Sequence, residues 1–138
     1  MNDIDINYFD PAFEERDMNK ISVLGLAYIG DGVFELLVRM WLISRGHTAV
    51  SDLHRCAVKI VNASAQRRFF ENIRELLSEE ELAVYHRGRN AKVNSVPPHS
   101  SVSDYHCATG LETLFGWLYL KSETDRIRFL FETGMENL

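Results

Sequence analysis

The sequence predicts an all-α fold, a helical bundle in a single domain. Apolar residues recur at helical spacing from about residue 21 to the end of the chain, and no stretch alternates apolar and polar residues long enough to insist on a strand. Breakers are few, with 8 Gly and 3 Pro in 138 residues. That length suits one domain, and 46% hydrophobic residues can bury one core, which excludes a disordered chain.

The elements follow in order. A first long apolar helix covers about Ile21 to Ser44, with Gly46 as its stop. Ser51 is a candidate cap for a short helix through Val61, and Ser64 for another reaching Leu77. Ser78 and Glu81 have capping-box spacing and open a helix reaching Arg87. Gly88 to Ser103 reads as a loop, because it holds Pro97-Pro98, several Ser and no periodicity. A second strongly apolar helix runs from about Asp104 to Leu120. Ser122 caps the last helix, and Gly134 closes it. Trp41, Phe69, Phe70, Phe115 and Trp117 fall at core positions.

Charge and cysteine content narrow the function classes. Residues 1–20 carry six acids and two bases, so this acidic lead holds −4 of the net −5, and residues 21–138 form the domain proper. Cys56 and Cys107 form no disulfide framework and no CxxC pair, which fits a reducing cytoplasm. The apolar run Ile21 to Val38 contains Asp31 and Glu35, so it reads as a helix of a soluble protein and no membrane partner is expected. The five histidines make no zinc spacing with either cysteine, and no G-x-S-x-G elbow supports a serine nucleophile.

Two carboxylates sit inside apolar helices: Asp31 in the first and Glu112 in the second. A carboxylate buried there must be paired, protonated or bound to a metal. No Lys or Arg lies within a turn of Glu112, so two acids converging on a Mg²⁺ ion is one reading. Hydrogen bonding to backbone or a helix end is the other. Gly25, Gly30 and Gly32 in one helix indicate close approach, either of a neighbouring helix or of a second copy. Glu35 is read as an i,i+4 partner of Arg39. Arg87, Arg89, Asn90 and Lys92 form a basic run without an acid from Leu82 to Ser103, suited to phosphate oxygens or to a solvated face. Arg55, Lys59, Arg67, Arg68 and Arg74 make a second basic concentration.

Residues 26–35, Leu-Ala-Tyr-Ile-Gly-Asp-Gly-Val-Phe-Glu, resemble the signature helix of the ribonuclease III catalytic domain. Residues 111–120 resemble that family's second acidic helix. With Arg-Gly-Arg-Asn-Ala-Lys at 87–92, the order and spacing are similar to the Mini-ribonuclease III branch, made of the catalytic domain alone. The resemblance spans about residues 20–135. It implies a dimeric ribonuclease III-like bundle without a double-stranded-RNA-binding domain, and a Mg²⁺-dependent endoribonuclease in which Mn²⁺ can substitute. Asp31 and Glu112 become the catalytic and metal-binding residues, and Arg87, Arg89, Asn90 and Lys92 the RNA contacts. It further implies a homodimer acting on the paired ends of precursor large-subunit ribosomal RNA, with a ribosomal protein assisting. The family's four-acid pattern is reduced here, because Ala27 and Thr109 occupy two of the acid positions. This keeps a catalytically silent RNA-binding domain as the alternative.

Overall fold

The two longest apolar segments are also the two longest helices, and they cross with their backbones in contact. The computed structural model describes residues 5–92, 95, 96, 98 and 101–138. Among these it shows seven α-helices and no strand. They are α1 (Glu15–Met18), α2 (Val23–Ser44), α3 (Val50–Val61), α4 (Ala63–Ile73), α5 (Glu79–Arg89), α6 (Val102–Leu120) and α7 (Thr124–Gly134), with a 3₁₀ turn at Arg74–Leu76.

Local chemistry explains most of the boundaries. The Ser22 hydroxyl accepts from Gly25 N–H and starts α2, while Gly46, with φ of +92°, ends it. The capping box of α5 closes in both directions between Ser78 and Glu81. Four expectations are corrected. Helix α3 starts after Ala49 without a side-chain cap, so Ser51 lies inside it. Asn62, not Ser64, caps α4 by accepting from Ala65 N–H at 2.9 Å. Helix α5 runs on through Arg89, because Gly88 is buried against Thr113 and packs as a helical residue. Ser122 does not cap α7, as its hydroxyl accepts instead from the Ala12 N–H at 2.7 Å. Gly134 is the last residue of α7, pressed onto the Phe69 ring where a Cβ would collide. Of the expected loop, 93, 94, 97, 99 and 100 lie outside the described residues, as does Asp3 of the acidic lead.

Helix α6 is the centre of the bundle, with α2, α4, α5 and α7 packed around it. Phe34 of α2 meets Phe69, Phe115 and Phe131 edge-on at centroid distances of 5.1 to 6.0 Å, and Phe70 stacks on Tyr85 at 3.9 Å. Trp41 and Trp117 pack at the edge of this core. Glu81 is buried and takes two bonds from Arg126, at 2.7 and 2.8 Å, which ties α5 to α7. The acidic lead is docked as well. Phe13 N–H donates to Leu120 O at 2.7 Å, and Met18 is buried with Leu26 and Leu120.

Candidate active site

The site is set by the place where α2 crosses α6. A Cβ at Gly30 would sit on the Glu112 carbonyl, and one at Gly116 on the Leu26 carbonyl. Only glycine lets two helices meet this closely, so these two residues fix the crossing. The sequence reading of close approach holds for Gly30. Gly32 faces open space, and Gly25 packs only against Ile21 and its own cap, Ser22.

Asp31 and Glu112 flank the crossing and face each other. Both were expected within the apolar interior, but the structure divides them: Asp31 is exposed and Glu112 is half-buried. The reason is the register of α2, which turns Ala27, Gly30 and Phe34 inward and leaves residue 31 on the flank. Burial, the negative charge of Asp31 and a hydrogen bond to it push the Glu112 carboxyl up to about 8. The metal-free site therefore favours a protonated Glu112 at neutral pH, its hydroxyl donating to Asp31. No cation among the described residues contributes to this balance.

The remaining candidates are placed as follows. Ala27 and Thr109 are both buried, and the Thr109 hydroxyl donates to Tyr105 O at 3.1 Å, so neither adds a ligand. Arg39 donates to Glu35 at 2.7 Å, the expected i,i+4 pair. The basic run is split by helical geometry. Arg87 and Arg89 are about 200° apart around α5, at 100° per residue. Arg87 lines a cavity of about 310 Å³ with Phe13, Glu15 and Trp117. Arg89 lines another of about 310 Å³ with Arg67, Arg74 and His86 between α4 and α5. Asn90 caps α5, and Lys92 follows it, exposed.

Sequence reasoning missed two groupings. Gln66, in a stretch that reads as polar surface, is 3% exposed, and its Nε2 completes no hydrogen bond among the described residues. It reaches far enough toward Glu112 to draw that carboxyl's pKa slightly down. Only the inward spacing of Ala65, Gln66, Phe69, Phe70 and Ile73 could have signalled it. The second grouping is His47, Asp52 and Cys56, whose ligand-type atoms lie within 4.8 Å of one another. It sits roughly 20 Å along α2 from Asp31. The His47 hydrogen bond, at 2.6 Å, and the one from Arg55, at 2.8 Å, hold the Asp52 carboxyl down to about 2. These bonds account for the cluster as an ion-pair network on the surface.

Comparison with known proteins agrees with this fold. The ribonuclease III domain pattern matches residues 24–123, which include both acids and the basic run. The chain is 42% identical to Mini-ribonuclease 3 of Clostridium tetani over 121 residues, covering 87% of this chain and 80% of that protein. It is 39% identical to Mini-ribonuclease 3 of Enterococcus faecalis, covering 83% and 89%. A crystal structure of a Fusobacterium nucleatum protein superposes with a TM-score of 0.75 at 29% identity, covering 84% of this chain and 93% of that one. The chain belongs to the ribonuclease III domain family, is similar along most of its length to the Mini-ribonuclease 3 proteins, and is an endoribonuclease.

Proposed function

We propose that this endoribonuclease cuts double-stranded RNA with Mg²⁺, or with Mn²⁺ in its place, and leaves 5′-phosphate and 3′-hydroxyl ends. The observation that carries the reading is Glu112 held beside Asp31 at a rigid helix crossing with no cation to balance them. Two carboxylates, a hard-oxygen donor set, fit a divalent ion of this kind. Asp31 and Glu112 would hold it, and when bound it supplies charge neutralisation at the phosphate and a more acidic water. The chain's own part is to keep the two oxygens in register through Gly30 and Gly116, and to release the Glu112 proton. Arg89, Asn90 and Lys92, with Arg67 and Arg74 beside them, then bind phosphates of an A-form helix, and Arg87 meets the backbone from the other side of α5.

The exposed face of α2 supports a homodimer. Tyr28, Leu36, Met40 and Ile43 are 80%, 59%, 60% and 50% exposed. Leu36 and Met40 border a groove of about 370 Å³ with Trp41, Ile127 and Phe131. Exposed apolar residues along a helix rich in glycine suit a second copy, which would place two sites across one RNA duplex. The proposed substrate is the paired stem at the ends of precursor 23S ribosomal RNA in the cytoplasm, with a ribosomal protein assisting. No helix among the described residues is long and apolar enough to cross a membrane.

The loss of acids at Ala27 and Thr109 favours one alternative, a domain that binds structured RNA without cutting it. Incubating a long RNA duplex and a precursor 23S stem with the protein, with and without Mg²⁺, separates the two. Mg²⁺-dependent fragments carrying 5′-phosphates support the nuclease, and retarded but intact RNA supports the binding domain.

A further inference from the structure

We propose that Gln66 is a positioning residue for the acid pair, its carboxamide N–H donating to the Glu112 carboxylate and thereby fixing which oxygen faces the metal. The proposal rests on the metal-site reading above. Helix α4 holds Gln66 in its first turn, between Ala65 and Phe69, both fully buried. A buried amide N–H without an acceptor is costly, and nearly all such groups in folded proteins are paired. Here the Gln66 Nε2 is buried and unpartnered, yet the side chain is near enough to act on Glu112. A carboxylate that binds a cation through one oxygen keeps lone pairs for an N–H donor, and α4, which carries Gln66, packs directly on α6, which carries Glu112, so the contact closes in the metal-loaded protein. Gln66 thus does for Glu112 what hydrogen bonds to ligating carboxylates do in other metal sites, where their loss typically costs 10–100-fold in affinity.

The test uses Gln66→Met, which keeps the volume and removes the donor, and Gln66→Glu, which keeps the shape and cannot donate once ionised. Mn²⁺ binding is read by calorimetry, RNA affinity in Ca²⁺ buffer, and folding by thermal denaturation. The expected result for Gln66→Met is Mn²⁺ affinity weakened about 10-fold. RNA affinity stays unchanged, and a melting temperature equal to or above wild type reflects removal of an unpaired polar group. Wild-type Mn²⁺ affinity in Gln66→Met would overturn the proposal. So would tighter binding in Gln66→Glu, since that places the side-chain oxygen, not the N–H, toward the ion. If Gln66→Met fails to fold, Gln66→Glu alone decides, because a space-filling role predicts unchanged affinity and a donor role predicts loss. Failure of the underlying metal reading is seen separately, as wild-type Mn²⁺ binding that Glu112→Gln does not alter.

Discussion

Replacing Glu112 by Gln should make the metal-free protein more stable, and increasingly so as pH rises. In the folded chain the Glu112 carboxyl titrates near 8, against an ordinary value of 4.5. Folding therefore favours the protonated form. That preference costs nothing below pH 4.5, and the penalty grows as pH rises from 4.5 and is complete above 8. One pKa unit corresponds to about 1.4 kcal/mol, so the ceiling on the penalty is about 3 kcal/mol at pH 7 and about 5 kcal/mol above pH 8. Partial solvent contact screens the group, so roughly 1–3 kcal/mol at pH 7 is expected, on the order of 5 °C in melting temperature. Glutamine donates to Asp31 as the protonated acid does, and carries no charge to bury. The assay is urea or thermal unfolding of both proteins from pH 4.5 to 8.5 in chelator. Every other titrating group is common to both, so the difference isolates residue 112. The two curves should meet near pH 4.5 and diverge above it. Parallel curves would refute the argument that burial and Asp31 strain this carboxyl.

Other consequences follow from named contacts. Gly116→Ala should lose several kcal/mol of stability by unfolding assay, since its Cβ lands on the Leu26 carbonyl, whereas Gly32→Ala should be neutral or stabilising because nothing lies near. Arg87→Ala and Arg89→Ala each weaken RNA binding and reduce its salt slope by about one. Their effects add in the double variant, because the two side chains lie on opposite sides of α5 and share no partner. Leu36→Asp should shift the protein from dimer to monomer in analytical ultracentrifugation while leaving its helical circular dichroism unchanged, since residue 36 is 59% exposed in the single chain.

Much of this arrangement was legible in the residues themselves. The two apolar helices, the Ser78–Glu81 capping box, the Glu35–Arg39 pair and the prominence of Asp31 and Glu112 all follow from local spacing. What local spacing does not carry is register in three dimensions. Asp31 lies in an apolar run, but only the crossing at Gly30 and Gly116 decides that it faces outward while Glu112 is half covered. Arg87 and Arg89 are neighbours in sequence and far apart around the helix. Ser51, Ser64 and Ser122 are each plausible caps by type, but Asn62 caps α4 in place of Ser64, and α3 and α7 start after Ala49 and Glu123 without a side-chain cap. Gln66 was invisible for the opposite reason. Flanked by Arg67 and Arg68, it reads as surface, and its burial comes from α4 lying against α6.

The most direct test of the central claim is single-turnover cleavage of a long RNA duplex across a Mg²⁺ titration, comparing wild type with Asp31→Asn and Glu112→Gln. The account predicts Mg²⁺-dependent cutting by the wild type, and loss of at least a hundredfold in rate in both variants with RNA affinity retained. Cutting by either variant at the wild-type rate and the same Mg²⁺ midpoint would contradict it.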